Sequence, residues 1–384
     1  MTGRPNRIVV VLLLALGGSV FVNVGLVLRY HVPPGLWPDP DEEIRARFPD
    51  IPISGRLAIE PVRPALAAPG PDRSAEYFGP WQSAGRDKLR ELLGHPSTEP
   101  PFAVRQVRSE KVGGLVRETL VFTQPDGLEI PAFLHRPDDD ERRPALLVIP
   151  GHSWGIVATS GIVDDYQNGN ALRLAEEGYV TLTMEVRGFG YLQFFGGSDP
   201  PLERTSYTPL NLVRGGTSMG VTVQDQTAGL SYLAARPDVR PDLLGLVGFS
   251  SGCDTAIYLG ALDPRPRVMV LSGCVTSHES KFSYSRWDTY SAVPGLARWL
   301  GADDCLGLLA PRPVLVHWGE LDDDPSSHSA AFNPTALATF DGALRIYRGQ
   351  GAAESLEKHL SPGIGHQFDV GAAIDFLRRR MPSR

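Results

Sequence analysis

Between Leu244 and Ala256 the chain reads LGLVGFSSGCDTA, and no other stretch narrows the choice of fold as far. Leu244 to Val247 is a short apolar run, Gly248-Phe249-Ser250-Ser251-Gly252 follows it, and Cys253 to Leu259 continues in helix-compatible residues. A strand that enters a helix through G-x-S-x-G turns so tightly that the serine takes strained backbone angles. The flanking glycines keep side chains from colliding across the turn. Ser250 then stands at the carboxyl end of a central strand, and the next helix aims its amino terminus at the same point. Alone, the pentapeptide fits equally well a glycine-rich turn with an incidental serine, so the rest of the chain has to decide.

The pattern around it is that of an α/β protein. Trp81 to Leu93 has helical periodicity, with Leu89, Leu92 and Leu93 on one side. Leu115 to Phe122 and Leu128 to His135 alternate about Pro125-Asp126-Gly127, which predicts an antiparallel hairpin. After Pro144 the pattern becomes strand-helix-strand, with strands expected at Ala145–Ile149, Val180–Met184, Leu244–Val247, Val268–Leu271, Val314–His317 and Leu356–Leu360. Helices such as Asn170–Glu177 and Val223–Ala235 fall between them. With the hairpin this makes an eight-stranded, mostly parallel sheet with helices on both faces.

The amino-terminal region has a different texture. Ile8 to Leu28 holds no charge over 21 residues, follows Arg4 and Arg7, and is closed by Arg29. As a helix it would span about 31 Å, close to the thickness of a bilayer's hydrocarbon core. It is long for a cleavable signal peptide, and Arg29-Tyr30-His31-Val32-Pro33-Pro34 offers no small-x-small cleavage site. Residues 1–30 are therefore expected to be an uncleaved transmembrane signal anchor with its amino terminus inside and the rest of the chain outside the cytoplasm. Secretion after cleavage is the alternative. Residues 31–75 form a proline-rich spacer, and the catalytic domain occupies 76–384.

A net charge of −7 without a lysine-rich tract argues against nucleic acid as a partner. Three cysteines, Cys253, Cys274 and Cys305, lack the spacing of a zinc ribbon or a disulfide scaffold. Cys253 and Cys274 each follow a predicted neighbouring strand, so a bond between them is open; two buried free thiols are the preferred reading.

A serine hydroxyl needs a base, and the base needs a third group to hold its tautomer. Of the five histidines after Ser250, only His366 lies in a glycine-rich loop (Ser361-Pro362-Gly363-Ile364-Gly365-His366) between a late strand and a final amphipathic helix. Asp322 follows the strand-ending Gly319 by three residues and is the candidate acid, with Asp323 and Asp324 as alternatives. For the oxyanion, the candidate donors are the amides of Ser251 and of His152. The latter sits in the loop Pro150-Gly151-His152-Ser153-Trp154-Gly155 after an early strand. Aromatic residues in loops, chiefly Trp154, Phe189 and Trp287, with Tyr191, Phe194 and Phe195, are candidates to border a pocket.

With these pieces placed, the chain from about Trp81 to Leu377 resembles the α/β-hydrolase superfamily, and within it the bacterial branch of acetyl-xylan esterases and dienelactone hydrolases. GYVTLTMEVRGFG (178–190), LSYLAARPDVRPDLLGLVGFSSG (230–252), VPGLARWLGADDCLGLLAPRPVLVHWGELD (293–322) and GIGHQFD (363–369) carry the likeness beside the elbow. Ser250, Asp322 and His366 fall on that superfamily's triad positions, in its order Ser…Asp…His. Pro150 stands where the family usually has histidine, and Glu185 where an aspartate often precedes R-G-x-G. The resemblance implies a serine esterase acting on a small-molecule or carbohydrate ester, without metal or cofactor. A dienelactone-hydrolase-like activity, a peptidase of the same fold and a non-catalytic membrane-tethered binding module are the rivals.

Overall fold

The computed structural model describes residues 62–70, 73, 75–194, 204–283, 289–322 and 332–383. The apolar run Ile8–Leu28 and most of the spacer lie outside the described residues. Among the described residues, no helix is long and apolar enough to cross a membrane.

The runs of apolar residues after Pro144 become strands buried along their whole length: β4 (Arg143–Ile149), β5 (Val180–Met184) and β8 (Val314–Gly319) expose no residue. Such runs suit strands covered on both faces. With β1 (Ala103–Val112), β2 (Leu115–Thr123), β3 (Glu129–Pro137), β6 (Val239–Phe249), β7 (Pro266–Ser272) and β9 (Leu356–Ser361) they build a nine-stranded sheet in the order β1-β2-β3-β5-β4-β6-β7-β8-β9. Pairing is antiparallel from β1 through β3 to β5 and parallel from there to β9. The expected eight strands are thus corrected to nine. The additional one, β1, is a mostly exposed edge strand in which arginine, lysine and glutamate interrupt the apolar residues, so it carries no hydrophobic signal of the usual kind.

Eleven α-helices accompany the sheet among the described residues: α1 (Phe78–Leu93), α2 (Ile156–Thr159), α3 (Asn170–Glu176), α4 (Gly190–Phe194), α5 (Arg204–Val213), α6 (Ser218–Ala235), α7 (Ser251–Leu262), α8 (His278–Ser283), α9 (Ala302–Gly307), α10 (Phe332–Gly349) and α11 (Val370–Arg380). Alternate residues of one strand feed opposite faces. On β4, Ala145, Leu147 and Ile149 join a core with α1, α6, α7 and α10. Leu146 and Val148 join a second core with α3 and α11.

Residues 62–70, ahead of residue 76 where the change in composition places the boundary, already belong to the same compact unit as the sheet. The reason is local. Main-chain bonds tie Ala65 and Leu66 to the carbonyls of Arg298 and Trp299, and the Trp81 indole donates to the Leu66 carbonyl at 2.8 Å. The end of the proline-rich stretch is therefore part of the domain. A second correction concerns the cysteines: Cys253 and Cys274 form a disulfide, and Cys305 is free and buried. The β6–β7 register pairs Phe249 with Ser272, which brings the two α-carbons to 5.8 Å, a distance suited to a disulfide. That proximity depends on strand register, which the sequence does not display.

Candidate active site

Phe249 ends β6 and Ser251 begins α7, leaving Ser250 alone in the turn at φ +54° and ψ −125°. That conformation is costly for a residue with a side chain and is held by its surroundings. The Ser250 amide donates to the Ser272 carbonyl at 2.9 Å, and its own carbonyl accepts from Cys253 at 2.9 Å. A methyl group at Gly252 would lie 2.2 Å from the Ile149 carbonyl oxygen, so only glycine lets the elbow seat against β4.

His366 arrives from the loop between β9 and α11. Its Nε2 lies 3.0 Å from Ser250 Oγ, and its Nδ1 lies 3.0 and 3.2 Å from the two oxygens of Asp322. Asp322, 1% exposed, is held in turn by its amide's bond to the Gly319 carbonyl. The bond to the carboxylate keeps the proton on Nδ1 and leaves Nε2 to accept from the serine hydroxyl. The loops carrying the acid and the base are also stitched together. Leu321 donates to the Ile364 carbonyl at 2.8 Å, Glu320 to that of Ser361 at 2.9 Å, and the Gly363 amide to Glu320 Oε2 at 2.8 Å. The alternatives Asp323 and Asp324 lie outside the described residues.

Beneath these loops runs a buried chain of polar groups that the sequence did not signal. His317 on β8 bonds Ser272 Oγ at 2.6 Å and Ser361 Oγ at 2.9 Å, and Ser361 donates to Asp369 at 2.6 Å. Asp369 caps α11 through the Ala372 amide. Burial pushes His317 down to about 4, so it is neutral near pH 7.

The loop from Pro150 to Gly155, the candidate source of an oxyanion donor, follows β4. Its Gly151 amide is engaged by Gln167 Oε1 at 2.8 Å, Gln167 Nε2 donates to Ser153 Oγ at 3.0 Å, and the Tyr166 hydroxyl donates to the His152 carbonyl. Tyr166 and Gln167 were missed from the sequence, since no motif marks them. The Ser251 amide lies at the amino terminus of α7, directly after the nucleophile candidate. Phe189 is 1% exposed, with its ring 4.7 Å from that of His152 and 4.8 Å from that of Tyr290. The Phe189 ring is covered by its contacts with the His152 and Tyr290 rings. Trp154 and Tyr191 are each about half exposed. Trp287 and Phe195, and the side chain of Phe194, lie outside the described residues. Among the described residues no cluster of three or more His, Cys, Asp or Glu side chains forms a metal site.

The sequence model of the Abhydrolase family matches residues 55–338. The chain belongs to the Abhydrolase family. It is accordingly a member of the α/β-hydrolase superfamily, with that superfamily's mostly parallel sheet. The Abhydrolase match includes Ser250 and Asp322 and stops short of His366. Over 279 residues the chain is 27% identical to the "Putative hydrolase YtaP" of Bacillus subtilis (strain 168), covering 70% of this chain and 89% of that one. Among solved structures, a "putative acetyl xylan esterase" of Bacteroides fragilis NCTC 9343 superposes with a TM-score of 0.64 at 18% identity, covering 86% of this chain and 84% of that one. The glucuronoyl esterase from Solibacter usitatus does so with a TM-score of 0.61 at 14% identity, covering 85% and 99%. At such identities these likenesses show a shared fold.

Proposed function

We propose that this Abhydrolase member is a serine esterase that cleaves carboxylic esters with small acyl groups, its alcohol side a small molecule or carbohydrate. The observation that carries the reading is the hydrogen-bonded series Ser250–His366–Asp322 at the carboxyl edge of the sheet. Ser250 Oγ attacks the ester carbonyl as His366 Nε2 takes its proton. Asp322 orients the ring and stabilises the imidazolium. The amides of Ser251 and His152 receive the oxyanion. His366 then protonates the leaving alcohol, and water, activated by the same imidazole, releases the acid from the acyl-enzyme. This chemistry asks for no cofactor. The fold likeness to the "putative acetyl xylan esterase" and to the glucuronoyl esterase supports an ester borne by a sugar.

A panel of p-nitrophenyl esters from acetyl to decanoyl, with acetylated xylan, tests the reading. Turnover is expected to be greatest with the short acyl groups. Ser250→Ala should abolish both turnover and labelling by a fluorophosphonate, while Ser251→Ala, which keeps its amide, should retain both. A folded wild-type protein that takes no label and cleaves no ester would leave a binding module as the better account.

The uncharged run Ile8–Leu28 behind Arg4 and Arg7 supports anchoring of the chain in a membrane with its catalytic domain outside the cytoplasm. The Cys253–Cys274 disulfide suits such an oxidising compartment. The protein should fractionate with membranes and be cut by protease added from outside. Recovery of a soluble form whose amino terminus lies near residue 31 would contradict the anchor.

A further inference from the structure

Glu185, the residue directly after β5, has no exposed surface. Its carboxylate lies where two loops meet. Oε2 accepts from the amide of Tyr191 at 2.9 Å and from that of Ile156 at 3.4 Å, and Oε1 accepts from Val186 at 3.2 Å. Among the described residues, every donor to this carboxylate is a main-chain amide. Ile156 directly follows the oxyanion loop, and Tyr191 directly follows the Arg187–Gly190 turn. Both glycines at this junction close on the acid. A methyl group at Gly155, which sits at φ +59°, would lie 2.0 Å from Oε1, and one at Gly190 would lie 2.4 Å from Oε2. The two loops also meet each other, through the Gly190 amide on the Ser153 carbonyl at 3.3 Å and the Phe189 ring against His152.

An apolar side chain would be the cheaper occupant of so dry a place, but it would leave the amides without an acceptor. A carboxylate is the one side chain of this length that only accepts. Burial pushes Glu185 up to about 7, against the pull of the amides of Tyr191, Val186 and Ile156. Few titratable groups face it. β3 meets this segment with the Pro131 carbonyl, and α2 carries no ionisable residue. Arg187 on the same segment is engaged by Asp225 of α6, by Asp126 of the β2–β3 turn and by Tyr207. His152 and Tyr191 are the remaining titratable residues on the loops packed against it.

We propose that Glu185 is a positioning residue for the oxyanion loop: its carboxylate ties the amides of Ile156 and Tyr191 together and so keeps the His152 amide aimed at the acyl oxygen. The proposal rests on the esterase reading. It acts through main-chain geometry, and Glu185 touches no reacting atom.

Three measurements decide it. Glu185→Gln keeps the length but aims an NH2 group at N–H donors. It should lower kcat for p-nitrophenyl acetate roughly ten- to a hundredfold, somewhat less than outright loss of an oxyanion donor, with KM within about threefold. Glu185→Asp retains the charge at a shorter reach and should keep a kcat between the two. The acid limb of the wild-type kcat profile should fall more steeply than one proton allows, because His366 and Glu185 both take up protons there, and in Glu185→Gln it should relax to a single-proton slope. A Gln variant with wild-type kcat would overturn the proposal. So would equal losses in Gln and Asp over an unchanged pH profile, which would mean packing alone. Should Glu185→Gln fail to fold, a single-proton acid limb in the wild type would overturn it. A wild type without esterase activity or label is a different result, and it removes the reading on which this one stands.

Discussion

The two ends of the sheet are built from different kinds of strand. From β5 to β9 the strands run parallel, and the inner ones are buried on both faces. From β1 to β3 they are antiparallel, and the outermost, β1, meets water along most of its length. Parallel strands deliver all their carboxyl ends to one edge. Residues that leave those ends therefore converge however far apart they lie in the chain, as Ser250 after β6, Asp322 after β8 and His366 after β9 do here. Antiparallel strands alternate their ends and cannot gather side chains in this way. The β1–β3 end instead reaches the region of the site from its flank: Asp126 at the hairpin tip bonds Arg187, whose guanidinium also binds Asp225, and the Pro131 carbonyl accepts from the Glu185 amide. In this molecule chemistry collects at the parallel end, and the antiparallel end supplies cover.

The contrast is broken most forcefully at the site. Asp322 is buried, and its role depends on the β8 end lying beside the β9 end. Asp322→Asn leaves the volume unchanged but removes the charge and replaces one of the two acceptor oxygens facing His366 Nδ1 by a donor, so the His366 tautomer is no longer fixed. It should lower kcat by roughly 10³- to 10⁴-fold, as loss of the orienting carboxylate does in other triads, with the melting temperature little moved. Steady-state kinetics on p-nitrophenyl acetate with a thermal melt would check both halves. A mild Asp322→Asn beside a damaging Asp323→Asn or Asp324→Asn would transfer the role along the loop.

The same division sets what was legible in the sequence. Buried parallel strands announce themselves as apolar runs, so Val180–Met184 was readable to the residue, and β4, β6, β7 and β8 were short only at their ends. Ser250, Asp322 and His366, which the structure brings together, stood out by the G-x-S-x-G elbow, by an offset of three residues from the strand-ending Gly319 and by a glycine-rich loop ahead of the last helix. β1 was not, because an edge strand that meets water has no need of an apolar stripe. The groups that steady the site were also hidden. Gln167, Tyr166 and His317 act through partners distant in the chain, whose proximity exists only once the strand register is set. The Cys253–Cys274 bond belongs with them.

The comparison is sharpened last by stability, where the two ends should differ by several kcal/mol for a similar deletion. Leu246 on β6 has no exposed surface and packs in the core with the helices on its side of the sheet. Leu246→Ala removes apolar contact and leaves a cavity in a region that cannot collapse, and should cost about 2–5 kcal/mol. Val107 on β1 is 54% exposed and sits where the β1–β2 register shifts between Gln106 and Arg108. A bulge of this kind bends an edge strand away from pairing, so its side chain has little to lose. Val107→Ala should fall within about 0.5 kcal/mol of wild type. Denaturant unfolding of both variants, with the slope checked for constancy, measures the difference. If Val107→Ala proved as costly as Leu246→Ala, the β1 edge would have to be covered in solution by a further surface, and the antiparallel end would be an interface in place of a cover.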